Sequence, residues 1–124
     1  MKVILVEDDV VDTMYLERLF AKVEKYETEF FVNGQEAYHF LANKWDGKED
    51  LVVLSDVNMP VLGGIELLKK LRENDKTLNI PFFIFTTSDD DANIEKAFEY
   101  NVSGYLLKPL TISEFENSLE EARG

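Results

Sequence analysis

Several hydrophobic segments of this chain end in side chains that could do chemistry. The segments and the residues that follow them are 2–6 with Glu7, Asp8 and Asp9; 51–55 with Asp56; 80–85 with Thr86; and 104–107 with Lys108. In chain order, the first two segments thus end in carboxylates, the third in a hydroxyl and the fourth in an amine. If the segments are parallel strands, these groups meet at one edge of one sheet, where ligands bind in open α/β folds.

The acidic strand ends predict a site for a hard cation. Glu7, Asp8 and Asp56 would lie within several ångströms of one another. Two like charges about 4 Å apart repel by roughly 4 kcal/mol at an effective dielectric constant of about 20, so such a group must take up protons or bind a cation. Oxygen ligands without histidine or cysteine favour Mg²⁺ or Mn²⁺, and Ca²⁺ is also compatible.

These residue types together suit aspartyl-phosphate chemistry. Beside a metal ion, one carboxylate can attack a phosphoryl group. The transferred group carries charge on three oxygens, which a metal, an ammonium and a hydroxyl or backbone N–H can bind. Lys108 and Thr86 supply the last two. Each residue alone is better explained as a helix cap or a solvated loop residue; their joint occurrence at strand ends favours the site.

Hydrophobic periodicity predicts the elements that position these groups. Strands are predicted at 2–6, 28–32, 51–55, 81–86 and 103–107. Helices are predicted around Leu16, Leu19, Phe20 and Val23; after the N-cap Asn33; after Gly63 and Gly64; after Ser88–Asp91; and after the capping box Thr111–Glu114. Strict alternation of strands and helices predicts a parallel sheet covered by helices on both faces.

Composition limits the remaining classes of protein. The 124 residues suit one domain, and 45% hydrophobic residues suffice for a core. The net charge of −12 argues against direct nucleic-acid binding. The chain has no cysteine and no apolar run of about 18 residues, so we expect no disulfide and no membrane span, and a cytoplasmic location fits. No linker is evident, so we expect no output domain.

Taken together, the motifs resemble the receiver domain of two-component response regulators of the chemotaxis-regulator type. The resemblance covers residues 1–124. It implies a flavodoxin-like, doubly wound sheet of five strands in the order 2-1-3-4-5, with five helices. It also implies a signalling phosphoacceptor rather than an enzyme, one that catalyses only its own phosphorylation and slow dephosphorylation.

The resemblance assigns the phosphoacceptor and metal roles. Asp56 matches the phosphoacceptor, and Glu7 and Asp8 match the acidic pair that binds Mg²⁺ with it. An offset pair of Asp8 and Asp9 remains open, although the register of the preceding strand favours the first assignment. The residue two positions after the acceptor, Asn58, would contribute its backbone carbonyl to the metal.

The same resemblance assigns switch residues at the other strand ends. Thr86 and Tyr105 match the switch pair, and Lys108 the lysine that binds the phosphoryl group, with a cis bond expected between Lys108 and Pro109. The two rate-tuning positions are Asn58 and Ser88.

The resemblance further implies protein partners. A sensor histidine kinase or a histidine phosphotransfer protein would donate the phosphoryl group, docking on helix one near Asp12 and Tyr15. A downstream protein target would bind helix four, strand five and helix five, and phosphorylation could cause homodimerisation. Phe98, Tyr105 and Phe115 are candidate apolar anchors of that surface, although core packing is the favoured interpretation of Phe98.

Three other classes compete with this interpretation. A binding module of the same fold that no longer switches would fail to bind Mg²⁺. A haloacid-dehalogenase-type phosphohydrolase would need an acid where Asn58 stands. A flavodoxin-like electron carrier would need a phosphate-binding loop where the acids 7–9 stand. His39, the only histidine, is predicted to lie on the surface of helix two, and Trp45 to pack within its loop.

Overall fold

The computed structural model describes residues 1–87 and 91–123. Its elements are β1 Lys2–Val6, α1 Val10–Ala21, β2 Glu27–Phe31, α2 Gly34–Asn43, β3 Leu51–Ser55, α3 Gly64–Arg72, β4 Phe82–Thr86, α4 Asp91–Glu99, β5 Gly104–Leu107 and α5 Ile112–Arg123. The strands form one parallel sheet in the order β2-β1-β3-β4-β5. The doubly wound fold expected from the sequence is confirmed.

Several element boundaries differ from the sequence-based ones by one residue or more. β2 ends before Val32, whose exposed fraction is 58%. β4 begins after Pro81, which has no N–H to donate to a strand ladder. β5 begins after Ser103, and α1 ends before Val23. The predicted caps at Asn33 and Thr111 are present, each accepting a backbone N–H three residues further on. The cap predicted at Ser88 lies outside the described residues.

Alternate residues of the central strands serve two separate hydrophobic layers. In β4, Phe82 and Ile84 pack with α2, α3 and α4, whereas Phe83 and Phe85 pack with α1 and α5. Both faces are buried, which explains why the strands appear in the sequence as uninterrupted apolar runs. This covering leaves the ends of the strands as the accessible edge of the sheet.

Two aromatic residues correct the sequence interpretation of the α4–β5–α5 surface. Phe115 is fully buried and packs against Phe20 and Phe83, so it is not a surface anchor. Phe98 was assigned to the core but is 57% exposed. The buried position on α4 is taken by Ala97, and successive helical residues point about 100° apart. His39 is exposed, and Trp45 packs partly buried against the core.

None of the helices in residues 1–87 and 91–123 is both long and apolar enough to cross a membrane.

Candidate functional site

Strand register brings the chemically capable ends together. In the pairing of β1 with β3, Val6 lies opposite Ser55, and the Asp56 N–H donates to the Val6 carbonyl at 3.0 Å. The next residue of each strand, Glu7 and Asp56, therefore emerges at the same edge. On the other side, the Lys108 N–H donates to the Thr86 carbonyl at 2.8 Å, so β5 delivers its lysine beside the end of β4.

Three carboxylates form a compact group at this edge. One oxygen each of Glu7, Asp8 and Asp56 lies within 4.8 Å of the others. Glu7 is buried, Asp8 is exposed and Asp56 is intermediate, so the group opens from the core toward solvent. The pKa of Glu7 is raised above 4.5. Burial is the largest cause, and the nearby charge of Asp56 adds to the rise. An all-oxygen group of this kind suits a hard divalent cation.

Asp9, the alternative member of the acidic pair, has a different task. Its side chain is the N-cap of α1 and accepts the N–H groups of Val11 at 2.8 Å and Asp12 at 3.2 Å. The free N–H groups of the first helical turn and the helix dipole stabilise a capping carboxylate at a helix N-terminus. The geometry therefore supports Glu7 and Asp8 as the pair beside Asp56.

The loop after Asp56 is tightly constrained. Asp56 Oδ1 accepts the N–H of Val57 at 2.7 Å. A Cβ atom at Gly64 would lie 2.1 Å from the Asp56 carbonyl oxygen, so only glycine lets α3 begin directly against Asp56. Val61 has φ of 68°, and the Leu62 N–H donates back to the Pro60 carbonyl at 2.7 Å, which makes a γ-turn.

This loop borders an open depression of about 430 Å³ lined by Asp8, Val57, Asn58, Met59, Pro60, Val61, Leu62, Gly63 and Glu66. Asn58 is exposed in it. The depression gives solvent access to the acidic group from the side of Asp8.

The edge of the sheet that carries Glu7, Asp8 and Asp56 is called the acidic edge. Lys108 lies across it and contacts three carboxylates, two from this edge and one from α1. Its Nζ lies 2.8 Å from Asp12 Oδ2, 2.9 Å from Glu7 Oε2 and 3.3 Å from Asp56 Oδ2. The ammonium also stands 4.9 Å from the centroid of the Phe85 ring. Burial alone would lower the pKa of Lys108, but the hydrogen bonds that its ammonium donates to Asp12 and Glu7, together with the charge of Asp56, outweigh burial and raise the pKa. Lys108 is therefore a firmly protonated cation.

The remaining assigned residues lie around this centre. Thr86 is buried at the end of β4, and Tyr105 is partly buried against the α2–α4 side of the core. The Lys108–Pro109 peptide bond is cis. Ser88 lies outside the described residues.

Sequence reasoning missed two contacts of the lysine. Asp12 was considered only as part of a docking face, yet it makes the shortest of the three ion pairs. Phe85 was considered only as a strand residue. A usable signal for Asp12 was its place three residues after the cap Asp9, one helical turn along α1.

Comparison with known proteins identifies the family. The family model described as the response regulator receiver domain matches residues 3–120. The chain belongs to this family. It is 28% identical over 124 residues to a chemotaxis protein CheY homolog of Campylobacter jejuni, a match that covers 100% of this chain and 93% of the relative. As a receiver domain, it is a signalling protein of the two-component type.

Solved structures agree with this receiver domain. The chemotaxis response regulator CheY4 of Vibrio cholerae is 27% identical with a TM-score of 0.80, and the match covers 98% of this chain and 97% of that one. The receiver domain of a sensor histidine kinase from Pseudomonas aeruginosa, solved with magnesium in its active site cleft, is 19% identical with a TM-score of 0.81, covering 99% and 98%. At that identity the second likeness shows the fold alone.

Family membership decides between the classes considered from the sequence. It confirms the receiver-domain interpretation and disfavours the phosphohydrolase and the electron carrier. A receiver-like module that no longer switches shares the same fold, so chemistry at the acidic edge must separate it from a working receiver.

Proposed function

We propose that this receiver domain accepts a phosphoryl group on Asp56 from a phosphohistidine, carried by a sensor histidine kinase or a histidine phosphotransfer protein. The observation that carries the proposal is that Asp56 lies beside Glu7 and Asp8 and also beside Lys108. One of its oxygens lies within 4.8 Å of oxygens of Glu7 and Asp8, and its Oδ2 lies 3.3 Å from the ammonium of Lys108. A carboxylate that lies beside both a cation site and an ammonium is suited to attack a phosphoryl group.

The acidic group fits Mg²⁺, with Mn²⁺ as a second suitable ion. The side chains of Glu7, Asp8 and Asp56 would hold it together with the backbone carbonyl of Asn58, because hard cations prefer oxygen ligands. When bound, the ion supplies positive charge that offsets the charge of the transferring phosphoryl oxygens. The magnesium ion in the cleft of the Pseudomonas aeruginosa receiver domain supports this choice.

The protein's own side chains orient the reaction. The Val57 N–H holds Asp56 Oδ1, which leaves Oδ2 directed toward Lys108. As the new O–P bond forms at Asp56, the N–P bond to the donor imidazole breaks. Lys108 binds one phosphoryl oxygen and the Thr86 hydroxyl another. Asn58, which is exposed, and the residue at position 88, Ser88, tune how fast water removes the group. The receiver thus catalyses only its own phosphorylation and dephosphorylation.

Phosphorylation would act on a downstream protein through the α4–β5–α5 surface. Thr86 moves toward the phosphoryl group, and Tyr105 on the neighbouring strand changes its packing, which biases a two-state surface. Phe98 and Leu107 are 57% and 48% exposed there and are suitable apolar anchors. The same surface could join two copies of the chain; a molar mass that does not change on phosphorylation would contradict homodimerisation.

The histidine-bearing donor would approach along α1. Val11 and Tyr15 are exposed there, and they border an apolar groove of about 290 Å³ beside Lys108. The Tyr15 hydroxyl donates to the Leu110 carbonyl at 2.5 Å, which joins α1 to the loop before α5. Replacing Val11 and Tyr15 by alanine should slow transfer from a phosphohistidine donor but leave the reaction with acetyl phosphate unchanged.

The primary experiment is intact mass spectrometry after incubation with Mg²⁺ and acetyl phosphate. We expect one phosphoryl adduct on the parent, none on Asp56→Asn, and none after addition of EDTA. Asp9→Asn is a matched control, because Asp9 caps α1 and lies outside the carboxylate group. A folded parent that remains unmodified would favour the non-switching module.

A further inference from the structure

The Lys108 ammonium is held more closely by Asp12 than by the acceptor Asp56. The Nζ–oxygen distances are 2.8 Å to Asp12, 2.9 Å to Glu7 and 3.3 Å to Asp56. A lysine has three N–H donors, and three carboxylates are within reach of them. The position of the ammonium is therefore biased toward α1 and away from the residue that would carry the phosphoryl group.

Asp12 differs from the other two carboxylates in its surroundings. Its side chain is 38% exposed, whereas that of Glu7 is fully buried. Glu7 and Asp56 belong to the compact acidic group, and Asp12 does not. Among the three carboxylates that contact Lys108, Asp12 is therefore the one that can be removed without altering the candidate cation site.

We propose that Asp12 is a positioning residue that competes with the phosphoryl group on Asp56 for the Lys108 ammonium. The inference rests on the proposed function of Asp56. To bind a phosphoryl oxygen, Lys108 must move toward Asp56 and lengthen its contact with Asp12. The charge of Asp12 also adds to the repulsion that an incoming anionic phosphoryl group meets. Asp12 thus favours the unphosphorylated state and sets how strongly Lys108 stabilises the phosphorylated one.

The test compares binding of trifluoroberyllate, a phosphoryl analogue, in the presence of Mg²⁺. We expect Asp12→Asn to bind it about fivefold more tightly than the parent, the effect of removing one partly exposed ion pair. A variant that is merely damaged would bind more weakly, so a gain in affinity is not a structural side effect. Asp12→Glu, which restores the charge, should return the affinity to within about twofold of the parent.

Glu17→Gln is the matched control. Glu17 is exposed on the same helix and is not among the carboxylates that contact Lys108 in the described part of the chain. Its substitution should change the affinity by less than about twofold. An Asp12→Asn affinity equal to or weaker than that of the parent would overturn the proposal, as would an equal gain in the control.

A second measurement needs neither metal nor analogue. Hydrogen exchange of the Lys108 ammonium, followed by ¹⁵N NMR of the metal-free protein, should be faster in Asp12→Asn because one acceptor is lost. An unchanged exchange rate would show that Asp12 does not restrain the Lys108 ammonium, and this would overturn the proposal. A parent that shows the restraint but binds no analogue would instead refute the proposed function, and the competition with it.

Discussion

Two partly buried cations of this receiver domain are held in opposite ways. The ammonium of Lys108 donates to three carboxylates, those of Glu7, Asp12 and Asp56, and stands over the Phe85 ring. Arg72, at the end of α3, donates to four backbone carbonyls, those of Leu78 at 3.0 Å, Ile80 at 2.8 Å, Tyr100 at 3.1 Å and Asn101 at 2.9 Å. The pKa of Lys108 is raised by its anionic partners, whereas burial lowers the pKa of Arg72.

The two kinds of partner differ in whether a bound ligand can displace them. Carboxylates exchange partners when a metal ion or a phosphoryl group arrives, because either can compete for the same charges. Backbone carbonyls are fixed dipoles for which neither competes. Arg72 therefore joins the loops before β4 and β5 through contacts that neither ligand can take, whereas we expect the contacts of Lys108 to change when the acidic edge binds a metal ion or a phosphoryl group.

The largest expected effect is on chemistry, through Lys108→Arg. Arginine keeps the charge but not the compact shape of an ammonium, so the rate of phosphoryl adduct formation should fall about 100-fold, the loss typical of one removed oxyanion donor. The free energy of unfolding should change by less than about 1 kcal/mol, since the ion pairs can re-form. Adduct formation at the parental rate, measured by intact mass over time, would contradict this role.

The reciprocal substitution is Arg72→Lys. An ammonium cannot reach four carbonyls in two loops, so buried acceptors lose their partners and the free energy of unfolding should fall by about 2–3 kcal/mol. Urea denaturation measures this loss, with Lys76→Arg at the exposed surface as a control. The extent of phosphoryl adduct at a temperature where the variant is folded should equal that of the parent; a parallel loss of adduct would break the comparison.

Mg²⁺ should stabilise the protein through the acidic edge alone. At ten times its dissociation constant, binding to the folded state adds about 1.4 kcal/mol to the free energy of unfolding. The increment should be the same in the parent and in Arg72→Lys, and it should vanish in Asp8→Asn. Denaturation with and without Mg²⁺ measures it, and an increment that survives in Asp8→Asn would place the ion elsewhere.

The smallest effect concerns Tyr26, a second fixed polar contact. Its hydroxyl donates to Glu116 at 2.8 Å, and burial first, then this bond, raises its pKa from 10.0 to about 12. The folded chain keeps the phenolic proton where the unfolded chain has lost it, so this contribution to stability falls as the pH rises from 10 toward 12. Tyr26→Phe should cost about 1 kcal/mol at pH 7 and remove that part of the pH dependence.

Pattern reasoning succeeded where local sequence decides the outcome. The apolar runs of β1 and β3 and the caps at Asn33 and Thr111 follow from residues close in the chain, and the structure contains them. It failed for Phe98 and Phe115, because an apolar residue on a helix can face either the core or solvent, and only the rotation of that helix against the sheet decides which.

The acidic edge shows the same division. Three successive acids follow β1, and the register of that strand favoured Glu7 and Asp8 as the pair without deciding which acid caps the helix. The start of α1 gives that task to Asp9 and leaves Glu7 and Asp8 beside Asp56. The place of Asp12 one helical turn after the cap Asp9 was a local signal of its position, but nothing nearby in the chain named its partner Lys108, 96 positions away.

The alternation of strands and helices and the type of side chain at each strand end follow from the amino-acid sequence, because burial on both faces imposes long apolar runs that polar residues must terminate. Which strand ends are neighbours depends on how the chain packs. Because β1 pairs with β3, Glu7 lies beside Asp56. Because β5 pairs with β4, the Lys108 ammonium reaches both Glu7 and Asp56. Such pairings depend on how distant surfaces fit together, and local periodicity carries no information about them.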